Sequence, residues 1–420
     1  MINKINDIIN NDNNYNNYNK NNDKLLELLV KNKGNSQIQS QIQSQITLIQ
    51  FRKQNKLKEK IMELKYKNNF DLNNFKNIFW DFSLNEYKIF NKDLFFLNDE
   101  ELIIHFFYIG RYERRIYNSK IKIIIVCNSW LDDNAAFGNG GNKALYNLGK
   151  IINERNYKNI YAKMYVYERT NIKNPLCNVF ANDDEINPRT LVIYSDGTYN
   201  NILFARNVMR WILLEIGTTY RPLDIVNSWN PDDLVYHWEK SKIAKNIKIL
   251  NVMIINKKYN NNYLKREEGM TCYLIKKRKL YNWDNKFIHK KSSICIDDLD
   301  TDKIVYNFNK CKLFYCYDLN TFLIIGAIIC GCKVILVPDE RTKQAYIDVS
   351  VLSNFQKVNS MIAWGENDLE NINYDENDII ELIKFINTLS NSVDVFLEDI
   401  YCYFNSIPEN IPRVKNVYNS

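Results

Sequence analysis

Ile121-Lys122-Ile123-Ile124-Ile125-Val126, then Asp132-Asp133-Asn134-Ala135-Ala136-Phe137-Gly138-Asn139-Gly140-Gly141, then Asn142 to Arg155: this stretch decides the fold. The first segment is apolar apart from Lys122, as expected of a strand buried on both faces. The second is a polar loop with three glycines, where an ordinary tight turn needs one. The third places Leu145, Leu148 and Ile152 on one face of a helix. Strand, glycine loop and helix in this order open an α/β sheet. The helix N-terminus favours negative charge close to the loop backbone. The spacing is not Gly-x-Gly-x-x-Gly and no acidic residue follows in the dinucleotide pattern, so a dehydrogenase is a weak reading.

The same alternation continues on the C-terminal side. Asn159 to Tyr167 and Thr190 to Tyr194 read as strands, and Phe204 to Glu215 reads as a helix, with Arg221-Pro222 closing that half. Ile247 to Ile255 is expected to begin a second series. Strands follow at Thr271 to Lys276, Leu313 to Tyr317 and Val334 to Val337, and helices at Asp302 to Lys310 and Thr321 to Cys330. Strands alternating with helices predict parallel sheets with right-handed crossovers. The expected class is α/β with two Rossmann-like domains: residues 119–240, on the acceptor side, and residues 241–420, on the donor side with C-terminal helices.

On the N-terminal side the text changes twice. Residues 68–118 are rich in aromatics and read as a small helical module. Residues 1–67 are low in complexity and read as a tail. Within the tail Ser-Gln-Ile-Gln recurs, which spaces Ile38, Ile42 and Ile46 by four and Ile49 by three more, with Leu57, Ile61 and Leu64 beyond. Two readings fit: a marginal surface helix, or a short coiled coil giving self-association through residues 36–64.

At 420 residues the chain has room for two or three domains. A net charge of +7 with lysines scattered and no basic block permits an anionic ligand but does not point to nucleic acid. Nine cysteines without a Cys-x-x-Cys pair, most of them in apolar runs, point to buried thiols and a cytoplasmic chain. The longest apolar run, Phe322 to Cys332, has 11 residues, whereas a bilayer span needs about 20. Three histidines, His105, His237 and His289, give no zinc spacing. His105 lies among Phe and Ile at helical spacing and reads as a packed structural residue.

Three clusters carry candidate chemistry. Asn139, Gly140 and Gly141 end the first loop. Asp196 follows the end of a strand, where open α/β sheets bind ligands; beyond it Arg206 and Arg210 stand four apart on the expected helix, spaced for a phosphate or carboxylate or for structural ion pairs. Tyr317, Asp318, Asn320 and Thr321 lie where a strand gives way to an apolar helix, and a cap alone would explain one polar residue there. A rival cluster, Asp297-Asp298-Leu299-Asp300, has the spacing of a metal-binding carboxylate pair. Helix capping by Asp300 or Thr301 explains it better.

Four fragments, in order, resemble a group of two-domain (GT-B) glycosyltransferases from bacterial polysaccharide clusters and giant viruses. They are Arg210-Trp211-x-Leu213-Leu214 with Gly217; Gly269-x-Thr271-Cys272-Tyr273-Leu274-Ile275-Lys276-Lys277; Tyr317-Asp318-x-x-Thr321 with Ala327 and Cys330-Gly331-Cys332; and Ala363-Trp364-Gly365. The likeness covers about residues 120–370. The module is similar to one found beside such domains, through Tyr87-x5-Asp93-Leu94, Glu100-Glu101 and His105-Phe106-x3-Gly110-Arg111-x-Glu113-Arg114. The resemblance implies transfer of a sugar from a nucleotide-sugar to a glycan or other acceptor, with no cofactor and no essential metal. It places the donor diphosphate at Thr321 with Lys276, Lys277 or Arg278, the acceptor at Gly140-Gly141, and a general base at Asp196. The chain departs from the pattern in two places. Ser195-Asp196 and Tyr199-Asn200-Asn201 replace Pro-Glu and Gly-Asn-Pro, and Gly326 stands where many such enzymes have a ribose-binding glutamate. A catalytically inactive binding or scaffold protein of the same fold is the second reading.

Overall fold

The computed structural model describes residues 27, 36–79, 81–129, 140–168, 185–214, 216–217, 223–241, 244–262, 265–276, 287–318, 321–337 and 351–405. The chain divides into two compact units, residues 1–119 and 120–420.

The first unit is helical. Helix α1 spans Ser36–Lys67, α2 Leu72–Ile78, α3 Leu84–Phe90 and α4 Asp99–His105, and α4 runs into one π turn, Phe106–Gly110. Ends are set by side chains: Asp71 and Ser83 cap α2 and α3, and Asn98 with Glu101 forms a reciprocal capping box on α4. The core is a nest of rings, Phe75, Phe79, Tyr87, Phe106 and Tyr117, packed with Leu94, Leu97, Leu102 and Ile104.

The C-terminal end of helix α1 packs on this module. Ile61 is fully buried in the ring core with Leu57 against it, and Lys65 Nζ pairs with Glu100 Oε1 at 2.7 Å. Ile42, Ile46 and Ile49, the stripe expected to self-associate, are 0–4% exposed within the single chain.

The second unit is α/β with two parallel sheets. The first half comprises β1 (Ile121–Ser129), α5 (Gly140–Arg155), β2 (Ile160–Glu168), β3 (Thr190–Ser195), β4 (Asn207–Ile212), β5 (Leu234–His237) and β6 (Lys248–Ile249). The second comprises β7 (Thr271–Leu274), β8 (Ile294–Cys295), α6 (Thr301–Lys310), β9 (Leu313–Cys316), α7 (Leu323–Ile329), β10 (Lys333–Leu336) and β11 (Ile362–Trp364). Helices α8 (Glu376–Leu389) and α9 (Ser392–Asn405) follow. Both sheets share one order: β2-β1-β3-β4-β5-β6, and β8-β7-β9-β10-β11. In each, the strand order reverses between the half's first and third strands, the position where doubly wound sheets leave a crevice at the carboxyl ends.

Two sequence expectations are overturned. Phe204 to Glu215 is not a helix: β4 runs through it, in parallel register with β3 and β5. All six residues of β4 are buried, so the run lacks the alternation that marks a half-exposed strand, and its apolar pattern alone does not separate strand from helix. Ile247 to Ile255 does not open the second half. β6 pairs with β5, which makes it the last strand of the first sheet.

Helix α9 returns to the first half. Arg155 Nε meets Asp394 Oδ1 at 2.8 Å, Lys158 Nζ meets Glu398 Oε2 at 2.9 Å, and Tyr236 donates to Asp399 Oδ2 at 2.7 Å. Among the described residues no helix is long and apolar enough to cross a membrane. Cys127, Cys272, Cys311, Cys316, Cys330 and Cys332 are buried free thiols, while Cys402 is exposed.

Burial also sets an acid limit. His105 and His237 are each 1% exposed, and burial pushes both down to about 4 from an ordinary 6.5. Unfolded, each ring takes up a proton near 6.5; folded, only near 4. The unfolded chain therefore binds more protons throughout that window, and stability falls as pH falls through it, by about 1.4 kcal/mol per pH unit per ring. We expect a lower melting temperature at pH 5 than at pH 7, with a shallower slope in His237→Gln. Identical melting of the parent at both pH values would contradict this.

Candidate functional site

The carboxyl ends of β3 and β9, each beside its switch point, carry a buried aspartate. Asp196 follows β3 directly and is 1% exposed; its Oδ1 accepts from the Leu213 amide at 3.4 Å, and its own amide donates to Trp211 O at 3.1 Å. Asp318 follows β9 by one residue and is 4% exposed; its carbonyl accepts from Cys316 Sγ at 3.2 Å.

Between the halves, the start of α5 meets the start of α7. A Cβ built on Gly140 would stand 3.9 Å from the Phe322 ring, ordinary van der Waals contact. Trp238 packs edge-on to the same ring at 5.7 Å. Beneath lies a cavity of about 40 Å³ lined by Lys143, Asn147, Asn256, Tyr259, Phe322 and Gly326 among others. That is room for about one water, so the halves are closed onto each other at this point. Gly140, at the start of α5, and Phe322, just ahead of α7, are thus brought to one place although they stand far apart in the sequence.

The residues expected to bind ligand fare differently. Gly140 and Gly141 open α5, while Asn139 lies outside the described residues, as do Lys277, Arg278 and Asn320. Thr321 stands before α7, its Oγ1 accepting weakly from the Leu323 amide at 3.4 Å; the N-cap position itself, Phe322, has no side-chain cap. Lys276 ends the β7 turn with Nζ 3.2 Å from Asp298 Oδ1, both side chains exposed. Tyr317 is buried and its hydroxyl is taken: it accepts from the Ile288 amide at 3.0 Å and lies 2.8 Å from His289 Nδ1. The hydroxyl therefore pins residues 287–289 to the sheet edge.

Arg206 and Arg210 do not form a pair on one helix face. Arg206 is exposed ahead of β4, whereas Arg210 is 0% exposed inside it. Arg210 Nε meets Asp233 Oδ2 at 2.8 Å, Nη1 donates to Thr198 O at 3.2 Å and Nη2 to Asn200 O at 2.9 Å. Its guanidinium is spent on holding the turn after Asp196.

The acidic cluster resolves into structural partners. Asp300 caps α6 through the Lys303 amide at 2.9 Å, and Asp297 Oδ1 accepts from the Ile275 amide at 2.8 Å, tying β7 to the turn after β8.

Sequence reasoning missed Tyr259, Lys143, Asn147 and Asn256. Tyr259 lies in Lys257-Lys258-Tyr259-Asn260-Asn261-Asn262, a stretch easily dismissed as compositional bias. The usable signal was its partner: Gly326, a glycine inside a helix, marks a close approach. A Cβ there would lie 2.6 Å from the Tyr259 ring.

No family model matches this sequence, and no curated protein matches it. Solved structures do. One is a protein assigned as UDP-N-acetylglucosamine 2-epimerase from Listeria monocytogenes, 10% identical, spanning 69% of this chain and 98% of its own, at TM-score 0.33. Another is sucrose-phosphate synthase from Thermosynechococcus elongatus, also 10% identical, spanning 68% of this chain and 95% of its own, at TM-score 0.36. At that level of similarity neither neighbour assigns an activity or a ligand to this chain.

Proposed function

We propose that the chain is a glycosyltransferase that moves a sugar from a nucleotide-sugar donor to a glycan or other acceptor without a required metal. One observation carries the reading: the start of α5, after the glycine loop, and the start of α7, after Asp318, meet at Gly140 and Phe322 between two parallel sheets. Each half contributes a carboxyl-end crevice, and the reacting groups of donor and acceptor must come within about 3–3.5 Å. In this reading the donor sits at the β7 and β9 ends, with Lys276 and Thr321 toward its diphosphate. Asp318 is anionic and suits a sugar or ribose hydroxyl instead. The acceptor enters beside Gly140 and Gly141, and Asp196 takes its proton. Arg210 and Tyr317 support neighbouring backbone and touch neither substrate.

A panel of nucleotide-sugars, read by melting temperature and by product formation, tests it, since a bound donor stabilises the folded state by mass action. Asp318→Ala and Thr321→Val are expected to weaken donor binding by about tenfold or more, the loss of one hydrogen bond to a charged or polar partner. Their melting temperatures should move no more than loss of a cap would move them, about 1 kcal/mol. Asp196→Asn keeps an acceptor for the Leu213 amide, so it should abolish transfer and spare donor binding. Wild-type donor affinity in both donor-site variants would place the donor elsewhere.

The second reading, an inactive binding or scaffold protein, draws on one observation: the Tyr259 ring lies over Gly326, where the resembled enzymes have a glutamate. Absence of any shift across the whole panel would favour it.

A further inference from the structure

The motif of the helical unit has no part in the transfer reading, yet its residues converge. Asp93, His105 and Glu113 line one wall, and Tyr87 and Gly110 stand behind His105. A Cβ on Gly110 would fall 2.1 Å from the Tyr87 hydroxyl, so only glycine leaves that hydroxyl room to reach His105 Nδ1 at 2.8 Å. The contact sits on a π turn, a distortion of the helix often found at functional sites.

Against this wall lies a cavity of about 570 Å³, lined by His105, Glu113, Arg115, the stretch Lys92 to Phe96 and one face of α1. Small-molecule sites commonly measure about 300–1,000 Å³. Gln50, Lys53, Gln54 and Leu57 supply the α1 wall, and their spacing of three, four and seven puts them on one face. His105 is 1% exposed, its Nδ1 is engaged by Tyr87, and its ring lines the cavity.

The charges on the wall select the ligand. Arg115 is clamped by two carboxylates, with Nη1 2.8 Å from Asp93 Oδ1 and Nε 2.7 Å from Glu113 Oε2. An anion would meet those carboxylates. A cation would meet Arg115, Lys53 and Lys92. An apolar ligand would strip water from all of them without replacing its hydrogen bonds. A neutral ligand dense in hydroxyls can donate to the carboxylates and accept from the amides and cations. Phe95, 55% exposed, and Phe96 add an apolar face to the same cavity, which suits the C–H face of a pyranose ring.

The geometry points to this cavity as a binding site for a neutral sugar unit of a glycan, held by Gln50, Gln54, Asp93, His105 and Glu113 and stacked on Phe95. Burial keeps His105 uncharged at neutral pH, with its lowered value near 4, so its Nε2 meets a hydroxyl without adding charge. The site goes beyond the transfer reading and does not depend on it.

The test is isothermal titration of the full chain, without donor, against neutral malto-, cello- and chito-oligosaccharides, with inorganic phosphate and a sulfated oligosaccharide alongside. One neutral series is expected to bind. Phe95→Ala and Gln54→Ala, both away from the ring core, should each weaken it about tenfold at unchanged melting temperature, the loss of one contact of roughly 1.4 kcal/mol. Asp318→Ala should leave it unchanged, because that residue belongs to the other unit. Binding of none of the neutral series, stronger binding of phosphate or the sulfated sugar, or neutral-sugar binding untouched by both variants would each overturn the proposal. A chain that binds glycan yet transfers nothing would sink only the transferase reading, and an active transferase with an empty cavity would sink only this one.

Discussion

Replacing Asp233 by alanine is expected to destabilise residues 120–420 by about 3–5 kcal/mol, the cost of stranding a buried charge. Arg210 sits in β4 with 0% exposure, and Asp233 Oδ2 at 2.8 Å is the carboxylate it faces. Its other contacts are two backbone carbonyls and the faces of Tyr194 and Trp229, 4.9 and 5.2 Å from the guanidinium carbon. None of these carries a full negative charge. Burial pushes the arginine down and the aspartate up, each toward its neutral form, while the partner's charge opposes both shifts. Removing the aspartate leaves the desolvation and deletes the attraction. Arg210→Lys should fail as well, because one ammonium cannot span the carboxylate and both carbonyls that the planar fork reaches. An apolar pair, Arg210→Met with Asp233→Leu, should recover much of the loss, since it removes both charges together. Chemical denaturation of the single and double variants measures this. An Asp233→Ala loss below about 1 kcal/mol would mean that the guanidinium finds water, and it would return Arg210 to the ligand-binding candidates.

The same arginine shows where sequence reading ran out. Strands with a polar boundary were legible: β1, β2, β3, β7, β9 and β10 all overlap the expected segments, with ends that differ by one to three residues, because glycine loops or caps mark them. β4 was not. All six of its residues are buried, so apolar periodicity cannot separate strand from helix, and the buried Arg210 passed for the exposed face of a helix. The partner that explains it, Asp233, lies 23 residues later, and no local rule links the two. β6 is two residues long and was legible only as part of an apolar run; its pairing with β5 is a tertiary fact. The site was legible as strand ends, since Asp196 and Asp318 stand where parallel sheets bind ligands. The contact of Gly140 with Phe322 and the packing of Tyr259 on Gly326 are products of the two halves closing, and their partners are separated by loops whose composition says nothing about distance.

Gly326→Glu is expected to cost the fold more than any gain it brings to nucleotide binding. A glutamate at this position would match the enzymes the sequence resembles, so the substitution reads on paper as a repair. The packing says otherwise. A Cβ on Gly326 would lie 2.6, 2.7 and 2.9 Å from Cε1, Cζ and Cδ1 of Tyr259. Those are ring atoms rather than a flexible tip, and the ring also neighbours Phe308, with centroids 6.5 Å apart at 30°. Helix α7 is fully buried, so the Tyr259 ring is the partner that has to shift. Even Gly326→Ala should therefore lose about 1–3 kcal/mol through overpacking. The glutamate adds a larger, charged side chain to a buried helix and should lose more. Tyr259→Ala in the same chain opens the space, so the double variant should lose less than the two single losses summed, as expected for residues in contact. Melting temperature and nucleotide-sugar affinity, measured on Gly326→Ala, Gly326→Glu and the double variant, decide it. If Gly326→Glu melts like the parent and gains donor affinity, the Tyr259 ring yields easily, and the glycine is a lost ribose-binding position. If it melts lower and gains nothing, Tyr259 is the residue that fills this part of the cleft, and any donor is held from the Asp318 side.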